Sequence, residues 1–67
     1  MSKLSFVSFC IENYADYIQK PSNEVYKDFQ REGLLDLLRD DYGDLHGMSV
    51  EFMNQFCDNY MRGVADT

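Results

Sequence analysis

His46 is the single histidine of the chain, and Asp40, Asp41 and Asp44 stand close before it in the string Asp40-Asp41-Tyr42-Gly43-Asp44-Leu45-His46. Carboxylates beside an imidazole could serve two chemistries: a carboxylate that orients a histidine base, or a ligand set for a metal ion. A calcium loop needs oxygen ligands at alternating positions, glycine at the sixth and glutamate at the twelfth. Counted from Asp40, Glu51 does fall twelfth, but the glycine falls fourth and the middle of the pattern fails. One histidine with flexible aspartates is also a thin set for a transition metal. His46 is expected instead to finish the third helix, giving a ring N–H to a free carbonyl of that turn or packing over Leu45. The remaining nucleophiles, Cys10 and Cys57, each sit inside an apolar periodic run without a second Cys or His at ligand spacing. A reactive thiol needs exposure and a nearby cation, which such a run does not supply. The pattern predicts a non-enzyme with no metal and no cofactor, and reduced thiols in a cytoplasmic protein.

Acidic residues also recur at helical spacing. Asp36, Asp40 and Asp44 at i, i+4 and i+8 predict an acidic ridge on the third helix, with Arg39 as the cation of that segment. Neighbouring like charges at this spacing cost about 0.2–0.5 kcal/mol per pair in an isolated helix. Such a ridge is either a solvated face that maintains solubility or a docking edge for a basic partner. The 67 residues carry 6 Lys and Arg against 12 Asp and Glu, a formal net charge of −6. Lys3, Lys20, Lys27, Arg31, Arg39 and Arg62 are dispersed, and only Lys27 and Arg31 share a helical face. No basic footprint for phosphate results, and a recognition helix carrying the acidic ridge would be repelled by DNA, so direct nucleic-acid binding is not expected. The chain begins without a long apolar leader, and no run approaches the roughly 18 apolar residues of a membrane span.

The elements that must hold these residues follow from punctuation and periodicity. Hydrophobic residues make up 45% and aromatic residues 15% of the chain, which favours a folded domain over an acidic disordered tail. Lys20-Pro21-Ser22-Asn23 stops a first helical run, Gly33 a second, and Gly43 to Ser49 a third; Ser49 can cap a fourth helix and Gly63 can end it. The expectation is all-α: a compact bundle of four short helices over about 3–19, 22–32, 34–42 and 49–63. Residues 1–67 would form a single domain, ordered over about 4–62, with a short flexible N-terminus and C-terminal tail.

At 100° per residue the first helix carries Leu4, Val7, Ile11, Tyr14 and Ile18 as a core stripe. Phe6, Phe9, Cys10 and Tyr17 widen its apolar arc to about 220°. In the fourth, Phe52, Met53, Phe56, Cys57, Tyr60, Met61 and Val64 oppose Glu51, Asn54, Asp58 and Arg62. Val25, Tyr26 and Phe29 mark a narrow face of the second helix; Leu34, Leu35, Leu38 and Tyr42 mark one of the third, and Leu37 falls off that stripe. A first helix this apolar is either the central helix of the bundle or a helix with a face left for a partner. The partner-facing candidates are Phe6, Phe9, Tyr17 and Leu37, with Asp36, Asp40 and Asp44 as the charged edge.

Four spaced blocks resemble a family. Phe9-Cys10-Ile11-Glu12 with Tyr14, Glu24-Val25-Tyr26 with Phe29, Gly33-Leu34-Leu35-Asp36 with Leu38, and Tyr42 with Leu45-His46 are similar to the small bacterial domain-of-unknown-function family 3791. The resemblance spans Leu4 to Tyr60 and implies a mainly helical domain in which Glu12, Tyr14, Gly33, Tyr42 and His46 are signature residues without an assigned role. Members often follow the last block with threonine, where this chain has Gly47, and often carry serine or threonine where this chain has Pro21. The resemblance further implies a genomic setting beside proteins similar to ADP-ribosyltransferases, in arrangements like toxin and antitoxin pairs. A small acidic protein-interaction module is expected, an antitoxin-like partner of an ADP-ribosyltransferase-type protein; the alternative is a homo-oligomeric structural module without catalytic activity.

Overall fold

A computed structural model describes residues 2–65. The chain is all-α: α1 (Lys3–Ile18), α2 (Ser22–Arg31), α3 (Leu34–Asp40), the single turn α4 (Tyr42–Leu45) and α5 (Val50–Ala65). Two of the boundaries differ from expectation. The third run does not continue to residue 42: the Asp41 N–H closes α3 on the Leu37 carbonyl at 2.9 Å, and the Asp41 carbonyl then accepts from Asp44 and Leu45 to open α4. Asp40 and Asp41 place negative charge against the negative end of α3, and aspartate and glycine are poor helix formers, so the break falls there. At the other end α5 runs past Gly63 to Ala65. A glycine in an exposed helical turn costs only about 1 kcal/mol, and Gly63 has open space where a side chain would be. Met1, Asp66 and Thr67 and the side chain of Val64, which entered the expected tail and apolar face, lie outside the described residues.

The other ends read as the residues suggest. The Ser2 hydroxyl accepts from the Ser5 N–H at the start of α1 and the Ser49 hydroxyl from the Phe52 N–H at the start of α5, both at 3.1 Å. At the end of α1, Gln19 takes the left-handed conformation (φ 59°), with its N–H on the Asp16 carbonyl and the Lys20 N–H on that of Ala15. This satisfies carbonyls the helix leaves free, and Pro21 then prevents continuation. Ser22 is the first residue of α2, and its hydroxyl donates to Glu12 of α1 at 3.1 Å, which ties the two helices at their turn.

α1 is the central helix and packs against α2, α3 and α5, which accounts for its wide apolar arc. The core takes Phe6, Cys10, Ile11, Tyr14 and Ala15 from α1, Val25 and Phe29 from α2, Leu34 and Leu38 from α3, Leu45 from α4, and Met53 and Cys57 from α5. Phe29, Leu34 and Leu38 have no exposed surface. The Tyr14 ring lies 5.4 Å from that of Phe29, and Phe6 meets Tyr42 edge-on at 5.5 Å.

Two tyrosine hydroxyls fix α5. Tyr60 donates to the Glu32 carbonyl at 2.6 Å, and Tyr14 donates to the Asp58 carboxylate at 3.0 Å. Asp58 was expected on the solvent face of its helix, yet it is 9% exposed. The correction comes from the facing helix: Tyr14 sends its hydroxyl into the α1–α5 contact, not into water, and Arg62 completes the carboxylate with a 2.9 Å ion pair. Burial, followed by the hydrogen bond to Asp58 and its charge, pushes the Tyr14 hydroxyl well above the usual tyrosine range.

Gly33 joins α2 to α3 with φ +80°, a conformation that side-chain-bearing residues rarely adopt. A methyl group there would meet the Tyr60 hydroxyl at 3.6 Å, an ordinary contact. Gly33→Ala is therefore expected to lose about 1–2 kcal/mol from backbone strain alone. A urea titration showing no loss would contradict this.

Candidate functional site

The residues at the start of α1, the middle of α2 and the middle of α3 leave an open groove of about 340 Å³ lined by Lys3, Leu4, Val7, Tyr26, Leu35 and Arg39. One lip is the first turn of α1. Leu4 sits in the first turn of α1, on the edge of the core stripe, and is 78% exposed. Val7 and Leu35 are half-buried and form the floor against the core, while Tyr26 remains 46% exposed on the α2 side. Leu35 and Arg39 are four apart on α3, so the leucine floor and the guanidinium lip share one row of that helix.

The charges around the groove are unlike those of the chain as a whole. Arg39 forms an ion pair with Asp36 on α3, both side chains well exposed. The ion pairs among the described residues are Arg31 with Asp28 and Glu32, Arg39 with Asp36, and Arg62 with Asp58; none involves Lys3.

The sequence-predicted partner residues are scattered. Phe6 is removed from the exposed face: it is 2% exposed, because its ring is enclosed beneath Tyr42 and the core. Leu37 is half-buried: it packs partly against the core and lines no part of the groove. Phe9 (38% exposed) and Tyr17 (52% exposed) do reach the surface, but Phe9 is turned about 140° from Leu4 around α1 and lines no part of the groove. Asp36 and Asp40 share an exposed row on α3; Asp44 is separated from them by the break at Asp41. The expected three-member ridge is a pair. Sequence reasoning missed the groove itself, having assigned Leu4, Val7, Tyr26 and Leu35 to core stripes. The available signal was the position of Leu4 in the first turn, where a stripe overhangs its neighbours.

The signature residues are occupied in building the fold. Glu12 accepts from Ser22, Tyr14 holds Asp58, and Gly33 makes the α2–α3 turn. His46 donates from Nδ1 to the Tyr42 carbonyl at 2.9 Å, and its ring stacks on that of Tyr42 at 4.6 Å. The expected bond to a carbonyl of its own turn is present, and the ring packs over Tyr42 in place of Leu45. Cys10 and Cys57 are 2% and 1% exposed; burial pushes the Cys10 thiol up to about 11 and the Cys57 thiol, with Cys10 nearby, up to about 12. Such thiols are protonated and poor nucleophiles at neutral pH. Among the described residues no three His, Cys, Asp or Glu side chains gather where they could hold a metal ion, and no helix is long and apolar enough to cross a membrane.

No curated protein and no solved structure is significantly similar to the chain. The family described as Protein of unknown function (DUF3791) matches residues 5–63, from the first turn of α1 to the last turn of α5. With that match covering the four main helices and the five signature residues, the chain belongs to the DUF3791 family.

Proposed function

We propose that this chain is a non-catalytic protein-interaction module that offers the groove between α1, α2 and α3 to an apolar element of a partner protein. The observation that carries this reading is Leu4, 78% exposed at the lip of a groove floored by Val7 and Leu35. An exposed leucine over a floor of two half-buried aliphatic side chains offers a partner's apolar side chain a place to leave water. The histidine and both thiols are engaged or enclosed as described, which supports a role without bond-making chemistry. The more specific form, an antitoxin-like neutraliser of an ADP-ribosyltransferase-type protein, is drawn from the family resemblance and concerns the identity of the partner, not the groove.

Affinity capture from the native host tests the reading when wild type is compared with Leu4→Asp, an exposed substitution that leaves the core intact. A protein recovered at one-to-one stoichiometry with wild type and lost with Leu4→Asp is the expected result, and an ADP-ribosyltransferase-type identity would support the specific form. Recovery of no stoichiometric partner would count against both. Sedimentation across a concentration series separates the homo-oligomeric alternative: self-association abolished by Leu4→Asp would favour it.

A further inference from the structure

The groove differs in charge from the other clefts of the surface. A cleft at the α1–α2 turn is lined by Glu12, Asp16 and Lys20, and a second, beside it, again by Glu12. The groove is lined by Lys3 and Arg39 and by no carboxylate. On a chain with 12 acidic against 6 basic side chains, this is a local reversal of sign around an apolar floor. Lys3 has no carboxylate partner among the described residues, and the Arg39–Asp36 pair is exposed enough to exchange.

We infer that the groove takes a segment of a partner protein in which an apolar anchor is flanked by aspartate or glutamate. The anchor fills the space between Leu4, Val7, Tyr26 and Leu35, and the flanking carboxylates meet Lys3 and Arg39. This rests on the interaction-module reading and narrows it, because it assigns the docking segment's charge. The overall charge of −6 does not forbid it: at physiological salt, fields fade over about 8 Å, and with Arg39 shared with Asp36 the lip still holds the Lys3 cation. A small apolar ligand fits less well, since such ligands have about 70–90% of their surface enclosed and this groove is open along Leu4. A second copy seated groove to groove would set Lys3 and Arg39 against the same two cations, so the lip charges select against that pairing.

The test is selection of random short peptides displayed on phage against the full chain, followed by anisotropy titration of the labelled winners. Enriched peptides are expected to carry Leu, Phe or Met with Asp or Glu within four positions. Their affinity should fall about tenfold or more for the double variant Lys3→Glu, Arg39→Glu, and that variant should select basic flanks instead. Both sites are exposed; should the double variant lose its helical circular dichroism, Lys3→Gln with Arg39→Gln serves, with a fall of at least about threefold. No enrichment, enrichment of basic or uncharged flanks with wild type, or affinities indifferent to these substitutions would overturn the inference. Capture of a partner that depends on Leu4 while acidic peptides fail would leave the module reading standing and remove only this one. Loss of every partner would remove the module reading as well.

Discussion

Phe29→Ala is expected to leave most of the chain unfolded at 25 °C. Phe29 has no exposed surface, lies beside Tyr14 and belongs to a core drawn from all five helices. Truncating a buried phenylalanine costs about 3–5 kcal/mol through lost transfer energy and the cavity left behind. In a domain below about 70–80 residues a single core rarely supplies more than about 3–5 kcal/mol of net stability, so the loss is as large as the total. The small domain also has few other core side chains with which to close the void. Loss of the cooperative transition in thermal circular dichroism is the expected outcome, with Phe29→Leu retaining it because most of the volume remains. An alanine variant that melts cooperatively within a few degrees of wild type would show that the core around α2 is not continuous.

Alkaline pH should destabilise the chain steeply, and the two thiols should carry much of the effect. Cys10 and Cys57 have an ordinary value of 9.0 and are raised to about 11 and about 12 by burial in the folded state. Folded-state values above the unfolded ones mean that the stability is fully present below pH 9 and is lost as pH rises towards the folded values. In that window the unfolded chain has released protons that the folded chain retains, so each thiol lowers stability by about 1.4 kcal/mol per pH unit. Tyr14 acts in the same direction at higher pH, since its hydroxyl is also raised by burial and by Asp58. Urea midpoints between pH 8 and 11 should fall sharply for wild type and more gently for Cys10→Ala with Cys57→Ala, whatever that pair costs at neutral pH. Parallel slopes would show that the thiols are not protected.

Much of the fold was legible in the sequence because local chemistry decided it. Pro21 and Gly33 stop helices for stereochemical reasons that no tertiary contact can easily override, and Ser49 supplies the oxygen that the start of α5 needs. The break at Asp41 was hidden because the leucine periodicity of α3 continues into Tyr42, while the opposing cost is spread over two aspartates and a glycine. The interaction face was less legible. Periodicity places Leu4 and Phe6 on one broad arc, but only the positions of α2, α3 and α4 decide that Phe6 is covered by Tyr42 and that Leu4 overhangs. Asp58 follows the same logic. Its helical phase points away from the apolar side, and its burial is made tolerable by the hydroxyl of a tyrosine far away in sequence together with Arg62.

That last contact determines how α5 is read along α1. Met53, Phe56, Cys57, Tyr60 and Met61 repeat at helical spacing, so an oily face alone would accept α5 displaced by one turn, about 5.4 Å, with modest loss. A displaced helix would separate Tyr14 from Asp58, leaving an unpaired buried group at a cost of about 1–3 kcal/mol, and would also break the part-buried bond from Tyr60 to the Glu32 carbonyl. The two hydroxyls thus act as an address label, giving one alignment of the helix a lead over neighbours that hydrophobic contact scarcely distinguishes.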